Sequence, residues 1–188
     1  MTDRIFVITD MHLGNNTFVE QGLRPKDFSE KILTNLNRML NPSDILIDLG
    51  DTCELNGDWF ERLSFISCKK WFAKGNHDSK SFTWYMKHGY DFVSDGFRLE
   101  IFGKKIFFSH MPVKDDGWFD INIHGHFHNF GLERVKEVEP ELYEILTPKH
   151  ELISIEELNY QPIKLKRIIE IREKSESPYS IKGSAVVD

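Results

Sequence analysis

The first half of the chain alternates short apolar runs with polar clusters. Continuous apolar runs predict buried strands over Arg4–Thr9, Asp44–Leu49 and Lys70–Lys74. Between the first two strands, apolar residues at helical spacing predict a helix over Phe28–Leu40, which Asn41-Pro42 ends. This order of strand, loop, helix and strand predicts an α/β domain built in layers.

The second half has a different pattern, with shorter apolar segments and tighter turns. Two apolar segments, Phe97–Phe102 and Lys105–Phe108, flank Gly103-Lys104, which predicts a β-hairpin. The remaining predicted elements are strands at Asp120–Ile123 and Glu151–Ile155, a short helix at Trp59–Ile66, and Ile163–Ile171, which fits either a helix or a strand.

Composition and length favour one soluble globular domain. The chain has 188 residues, 40% of them hydrophobic and 29% charged, and no repeat or linker divides it. We therefore expect a domain over 1–174 and a flexible tail over 175–188. No signal peptide or membrane span is evident, so we expect a cytoplasmic location and no membrane partner. The net charge of −6 argues against a module held on nucleic acid by broad electrostatics.

Five polar clusters follow predicted strands, and they hold six of the eight histidines. Open α/β sheets bind ligands at the carboxyl ends of their strands, which is where these clusters fall. The clusters are Asp10-Met11-His12, Gly50-Asp51, Gly75-Asn76-His77-Asp78, Ser109-His110 and His124-Gly125-His126-Phe127-His128.

These residue types indicate a metal site. Imidazole nitrogens and carboxylate oxygens suit divalent ions such as manganese, iron, zinc, cobalt or nickel. Residues two apart in extended backbone project to the same side, so Asp10 with His12, and His126 with His128, can each direct two side chains into one site. Two ions need a bridging carboxylate, and Asp51 is the natural candidate.

The order D-x-H, G-D, G-N-H-D, H, G-H-x-H resembles the calcineurin-like metallophosphoesterase superfamily. The resemblance runs from Asp10 to His128 and implies a layered β-sandwich flanked by helices, with two metal ions at the strand ends. It implies the following ligands: Asp10, His12 and His128 for the first ion, Asn76, His110 and His126 for the second, and Asp51 as the bridge.

The resemblance also implies catalytic roles. His77 matches the family's catalytic histidine, which protonates the leaving oxygen or stabilises charge on the phosphoryl group. Asp78 would orient His77 and keep it protonated. His124 has either a supporting role behind the ligands or a direct one. His88 and His150 match no block, so we expect structural or surface roles for them.

Departures from the family pattern narrow the interpretation. Protein Ser/Thr phosphatases of this superfamily show GDxxDRG and GNHE, whereas this chain has GDTCELN and GNHD, which disfavours a protein phosphatase. The short stretch between His110 and His124 leaves no room for a cap domain. The chain is therefore similar to the small, cap-less bacterial or phage-type members, and Arg24-Pro25 and Asn159-Tyr160-Gln161-Pro162 resemble segments of one such subgroup.

The expected function is hydrolysis of a phosphate ester by a hydroxide bound to two metal ions. Phosphodiesters are slightly favoured because an open site lacks a pocket for the three free oxygens of a monoester. A phosphomonoesterase acting on nucleotides or other small phosphates is the alternative. Arg24, Arg62 and Arg98 could clamp a phosphate or remain solvated charges.

Two other classes fit less well. A non-catalytic scaffold should have lost some ligands or the catalytic histidine, yet every position is filled. Seven candidate ligands exceed what a single ion needs. We expect manganese, with iron, zinc, nickel or cobalt as alternatives, and a small phosphate ester as substrate, including a nucleotide or short nucleic acid. The physiological substrate and the oligomeric state do not follow from the sequence.

Overall fold

Two β-sheets and seven helices make up the described part of the computed structural model, which comprises residues 4–54, 57–175 and 180–181. The strands are β1 (Ile5–Ile8), β2 (Ile45–Asp48), β3 (Lys69–Ala73), β4 (Phe92–Ser94), β5 (Gly96–Ile101), β6 (Lys104–Ser109), β7 (Ile121–His124), β8 (His150–Leu152) and β9 (Ile163–Lys164). The helices are α1 (Asn16–Glu20), α2 (Phe28–Met39), α3 (Trp59–Ser64), α4 (Phe82–Lys87), α5 (Leu132–Val138), α6 (Pro140–Glu144) and α7 (Leu165–Arg172).

Each sheet contains a block of parallel strands. The first sheet has the order β4-β3-β2-β1-β9, in which only the β1–β9 pair is antiparallel. The second has the order β5-β6-β7-β8, in which β5 and β6 form an antiparallel pair and β6 to β8 are parallel. Parallel strands end at a common edge of their sheet, so the loops that follow them gather there. Two sheets flanked by helices confirm the predicted layered α/β fold.

The main hydrophobic core lies between the two sheets. Side chains alternate along a strand, so Val7 of β1 joins the core between the sheets together with Ile123 of β7. The neighbouring Phe6 and Ile8 face the other way and pack with α2, which contributes a buried apolar stripe. That stripe is formed by Phe28, Ile32, Leu33 and Leu36.

Most predicted elements are present, with boundaries shifted by one to three residues. The hairpin turn consists of Phe102 and Gly103, one residue earlier than predicted, and both have positive φ, as a two-residue type I′ turn requires. The segment Ile163–Ile171 contains both alternatives, because β9 leads directly into α7. Five elements, β4, α1, α4, α5 and α6, were not predicted, because they have three to seven residues and are too short for a clear period.

The predicted tail, 175–188, lies mostly outside the described residues. Within it, the Ser180 hydroxyl donates a hydrogen bond to Glu151, and Ile181 is buried against the core between the sheets. No helix within the described ranges is long and apolar enough to cross a membrane.

Candidate metal centre

The predicted ligands lie in the loops that directly follow β1, β2, β3, β6 and β7. Non-glycine residues rarely adopt positive φ, because each such residue costs about 1–3 kcal/mol and persists only where the surrounding structure enforces it. Five of the seven predicted ligands do so in this structure. They are Asp10 (φ 50°), His12 (φ 43°), Asp51 (φ 52°), His126 (φ 73°) and His128 (φ 49°).

One group of ligands consists of Asp10, His12 and His128, whose ligand atoms all lie within 4.8 Å of one another. Two of these atoms, Asp10 Oδ1 and His12 Nε2, are buried without any hydrogen-bond partner. Burial lowers the pKa of His12 to about 4, so its ring is neutral near pH 7 and can offer a lone pair. Unpartnered buried polar atoms are costly, and a cation would satisfy both of them.

The second group consists of Asp51, His110 and His126, which are equally close together. Nδ1 of His110 lies 2.9 Å from the carbonyl oxygen of Leu49. A carbonyl oxygen can only accept, so Nδ1 carries the hydrogen and Nε2 faces the group. Asn76 Oδ1 lies 2.9 Å from that Nε2, which places the amide oxygen beside this group.

Asp51 belongs to the second group and also faces the first. Its Oδ2 is 3.5 Å from His12 Nε2 and 3.3 Å from His110 Nε2, while its Oδ1 accepts a hydrogen bond from the backbone of His77. Burial opposes ionisation of Asp51, but the hydrogen bond and charge of His110, the backbone amide of His77 and the charge of His12 together outweigh it and lower the pKa of Asp51 to about 2. Burial likewise opposes protonation of His110, but the contact with Asp51 raises its pKa to about 9. A metal ion at this group would therefore replace a proton.

His77 and Asp78 lie beside Asp51 but do different things. The His77 side chain is 67% exposed, with Nε2 4.0 Å from Asp51 Oδ2. The Asp78 carboxylate is buried and accepts hydrogen bonds from three backbone amides, those of Asp51, Thr52 and Gly75. This differs from the predicted contact between Asp78 and the ring of His77. The buried carboxylate requires donors, and the amides of the two ligand loops supply them.

A second buried carboxylate, Asp48, supports the Asp51 loop from below. It accepts hydrogen bonds from the hydroxyls of Tyr90 and Thr52 and from the backbone of Gly50. Complete burial, together with the nearby charge of Asp78, raises its pKa to about 7. Asp48 and Asp78 thus fix both sides of the loop that presents Asp51.

Three charged residues that contact the centre were not assigned to it from the sequence. Glu139 Oε2 lies 2.8 Å from His126 Nε2, and Glu156 Oε1 lies 3.1 Å from His128 Nδ1. Arg24 is only 4% exposed and is therefore neither a free phosphate clamp nor a solvated charge. Glu139 and Glu156 come from segments after the last matched cluster, so no local spacing marks them. The subgroup segment containing Arg24 was the one available signal.

The remaining histidines lie outside both groups. His124 is fully buried, with Nδ1 3.0 Å from the carbonyl oxygen of Gly125, and burial lowers its pKa to about 3. His150 is also buried, with Nε2 2.8 Å from the carbonyl oxygen of Val113. His88 is exposed at the end of α4.

Comparison with known proteins agrees with this geometry. The family model for calcineurin-like phosphoesterases matches residues 3–167. The chain belongs to the calcineurin-like phosphoesterase family. This family hydrolyses phosphate esters and uses divalent metals. The two candidate groups contain the ligand types that such ions require.

Two relatives of similar length accompany the family match. The uncharacterized protein MJ1445 of Methanocaldococcus jannaschii is 27% identical over 91% of this chain and 92% of its own. The crystal structure of AQ665 from Aquifex aeolicus, a protein of unknown function, is 27% identical, covers 88% of this chain and 97% of its own, and has a TM-score of 0.67. The match thus spans almost the whole of each of these two chains.

Gly125 is a position at which a side chain would disturb the centre directly. A Cβ there would lie 2.0 Å from Thr9 Oγ1 and 2.4 Å from Asp10 Oδ2. We expect Gly125→Ala to displace Asp10 and to weaken binding of Mn²⁺ by at least about tenfold in calorimetric titration, as loss of ligand support does elsewhere. Gly131→Ala is the matched control, because a Cβ there meets nothing within 4 Å. Unchanged Mn²⁺ affinity in folded Gly125→Ala would contradict this prediction.

Proposed function

We propose that this calcineurin-like protein is a dinuclear metal-dependent phosphoesterase that prefers phosphodiesters. The observation that carries the proposal is the position of Asp51 Oδ2, which faces His12 of one ligand group and His110 of the other. A carboxylate so placed can bridge two ions. When bound, two such ions would clamp the phosphate and lower the pKa of a water molecule for in-line attack.

The ligand chemistry supports hard and borderline divalent ions. Both groups offer imidazole nitrogens and carboxylate or amide oxygens, and neither contains a cysteine. Thiolate ligands would favour softer ions, whereas this set suits manganese, iron, zinc, cobalt or nickel. We take manganese as the first ion to test.

We assign to His77 the role of protonating the leaving group. Its side chain is exposed beside the centre, while its backbone amide is fixed to Asp51. An exposed imidazole next to a metal centre can reach a bound ester and give a proton to the departing oxygen. Asp78 acts on the same loops through their backbone, so we assign it a positioning role.

The preference for diesters rests on what surrounds the centre. Arg24 directs its guanidinium nitrogens to the carbonyl oxygens of Asp10 and Met11 and to Glu156, so it has no free fork for phosphate oxygens. A monoester dianion gains more from such a fork than a diester does, because it carries an additional unesterified oxygen. Two metal ions and one imidazole are sufficient for a diester.

A hydrolysis screen tests the proposal. With Mn²⁺, we expect the protein to hydrolyse bis(4-nitrophenyl) phosphate with a higher kcat/KM than 4-nitrophenyl phosphate, and a chelator should abolish both activities. Nucleotides, cyclic nucleotides and short single-stranded nucleic acid complete the screen. The affinity for Mn²⁺, and with it the activity at limiting metal, should fall as the pH drops below about 9, because a proton then competes with the ion for His110.

Each alternative has its own result in this screen. Preference for the monoester would overturn the diester assignment. Binding of two ions without hydrolysis of any substrate would indicate a non-catalytic scaffold. Hydrolysis that survives complete removal of metal would refute the metal-dependent mechanism.

Replacing the exposed imidazole separates catalysis from metal binding. His77→Ala should lower kcat by about 10²–10⁴-fold for esters with poor alkoxide leaving groups, because these need a proton as they depart. The defect should be smaller for 4-nitrophenolate, which leaves without one. Metal content, measured by elemental analysis, should stay at the wild-type level.

His88→Ala is the control for that experiment, because His88 is a second exposed histidine that belongs to neither ligand group. It should leave kcat for both leaving groups unchanged. If His77→Ala instead loses a metal ion, His77 is a ligand and its assignment to the leaving group is wrong.

A further inference from the structure

A buried ion pair connects the two loops that supply the first ligand group. Arg24 Nε and Nη2 both contact Glu156 Oε1, at 2.9 Å and 2.5 Å. Glu156 also contacts the ligand His128 on the side of the ring opposite the centre, at 3.1 Å from Nδ1. Ser154 Oγ donates to its other oxygen, so both oxygens of Glu156 are engaged.

The same arginine holds the β1 loop. Its Nη1 donates to the carbonyl oxygen of Met11 at 2.9 Å, and its Nη2 donates to that of Asp10 at 2.8 Å. The guanidinium carbon lies 4.7 Å from the ring centre of Phe18 and 5.1 Å from that of Phe28. Aromatic contacts of this kind fix the guanidinium in place. One side chain therefore holds the loop that carries Asp10 and His12, where both ligands have positive φ.

Counting hydrogens decides which nitrogen of His128 is protonated. Arg24 Nη2 also lies 3.3 Å from His128 Nδ1, but its two hydrogens are used by the Asp10 carbonyl and by Glu156. A carboxylate only accepts, so Nδ1 of His128 must donate to Glu156. In the neutral ring this leaves the Nε2 lone pair free, and Nε2 faces Asp10 Oδ1 at 3.8 Å.

We propose that the Arg24–Glu156 pair is a positioning device for the first metal site, formed by Asp10, His12 and His128. Glu156 sets the tautomer and orientation of His128, and Arg24 ties that histidine to the loop of the other two ligands. The second group contacts neither residue in the described structure. Loss of the pair should therefore weaken binding of the ion at the first site and leave binding at the second site unchanged. This inference rests on the proposed two-metal function.

Calorimetric titration with Mn²⁺ alone tests the proposal. Wild-type protein should bind two ions. Glu156→Gln should lower the affinity for one of the two ions by about 10–100-fold, the range for partners of metal-bound histidines. The affinity for the other ion should stay within about twofold of wild type. Titration with Zn²⁺, followed by histidine ¹⁵N spectra, identifies the site. The signals of His110 and His126 should respond at the first equivalent, and those of His12 and His128 only at higher concentration.

Glu151→Gln is the matched control. Glu151 is also buried, and it is also held by an arginine, Arg172, and a serine hydroxyl, that of Ser180, but it contacts no ligand of either group. It should leave both ions at wild-type affinity. If both ions bind folded Glu156→Gln as they bind wild type, or if Glu151→Gln gives the same selective loss, the positioning role is refuted.

Two further measurements cover the risk that Glu156→Gln fails to fold because Arg24 is left as an unpaired buried charge. The double variant Arg24→Met/Glu156→Gln removes both charges and should show the same selective loss. In metal-free wild type, at a pH where the ring is neutral, His128 should be the Nδ1–H tautomer, and an Nε2–H tautomer would refute the proposal. Wild type that binds fewer than two ions would refute the two-metal function instead, while the tautomer still reports on Glu156.

Discussion

The backbone at the ends of the parallel strands imposes the constraint on which the centre depends. To bring a carboxylate and an imidazole from one short loop over the sheet edge, Asp10 and His12 take positive φ, and Asp51, His126 and His128 do the same. Each of these residues is strained relative to an ordinary loop residue. The strain persists because hydrogen bonds on the buried side of the loops, away from the ligand atoms, hold the backbone in place.

Those supporting contacts explain why so much charge is buried near the sheet edge. Asp78 bonds the amides of the loops after β2 and β3, and Asp48 holds the base of the first of these loops. Arg24 and Glu156 do the same for the loops after β1 and β7. A buried charge costs stability unless it is paired or hydrogen-bonded, and each of these is. These contacts hold ligand atoms such as Asp10 Oδ1 and His12 Nε2 in buried positions without hydrogen-bond partners, which costs stability.

Local pattern predicted the strands and the polar clusters that follow them, whereas the β-sandwich and the full ligand set were implied by the resemblance to the family. Apolar runs marked β1 to β3, and the polar residues after them had to share an edge once the strands were parallel. The supporting residues were not predictable in this way. Glu156 is far from its partner Arg24 in sequence. For Asp78, the motif predicted His77 as the partner, whereas the structure shows that Asp78 accepts hydrogen bonds from backbone amides such as that of Thr52. Such contacts depend on how distant loops pack, which no local spacing encodes.

We propose that Asp51 lies between two metal ions. Anomalous diffraction from crystals soaked in Mn²⁺ tests this most directly, because it locates each ion independently of activity. We expect two peaks about 3.5–4 Å apart, the usual spacing of two-metal hydrolytic sites, with an oxygen of Asp51 between them. One peak should lie against Asp10, His12 and His128, and the other against Asn76, His110 and His126. A single peak at full occupancy, or two peaks that Asp51 does not join, would contradict it.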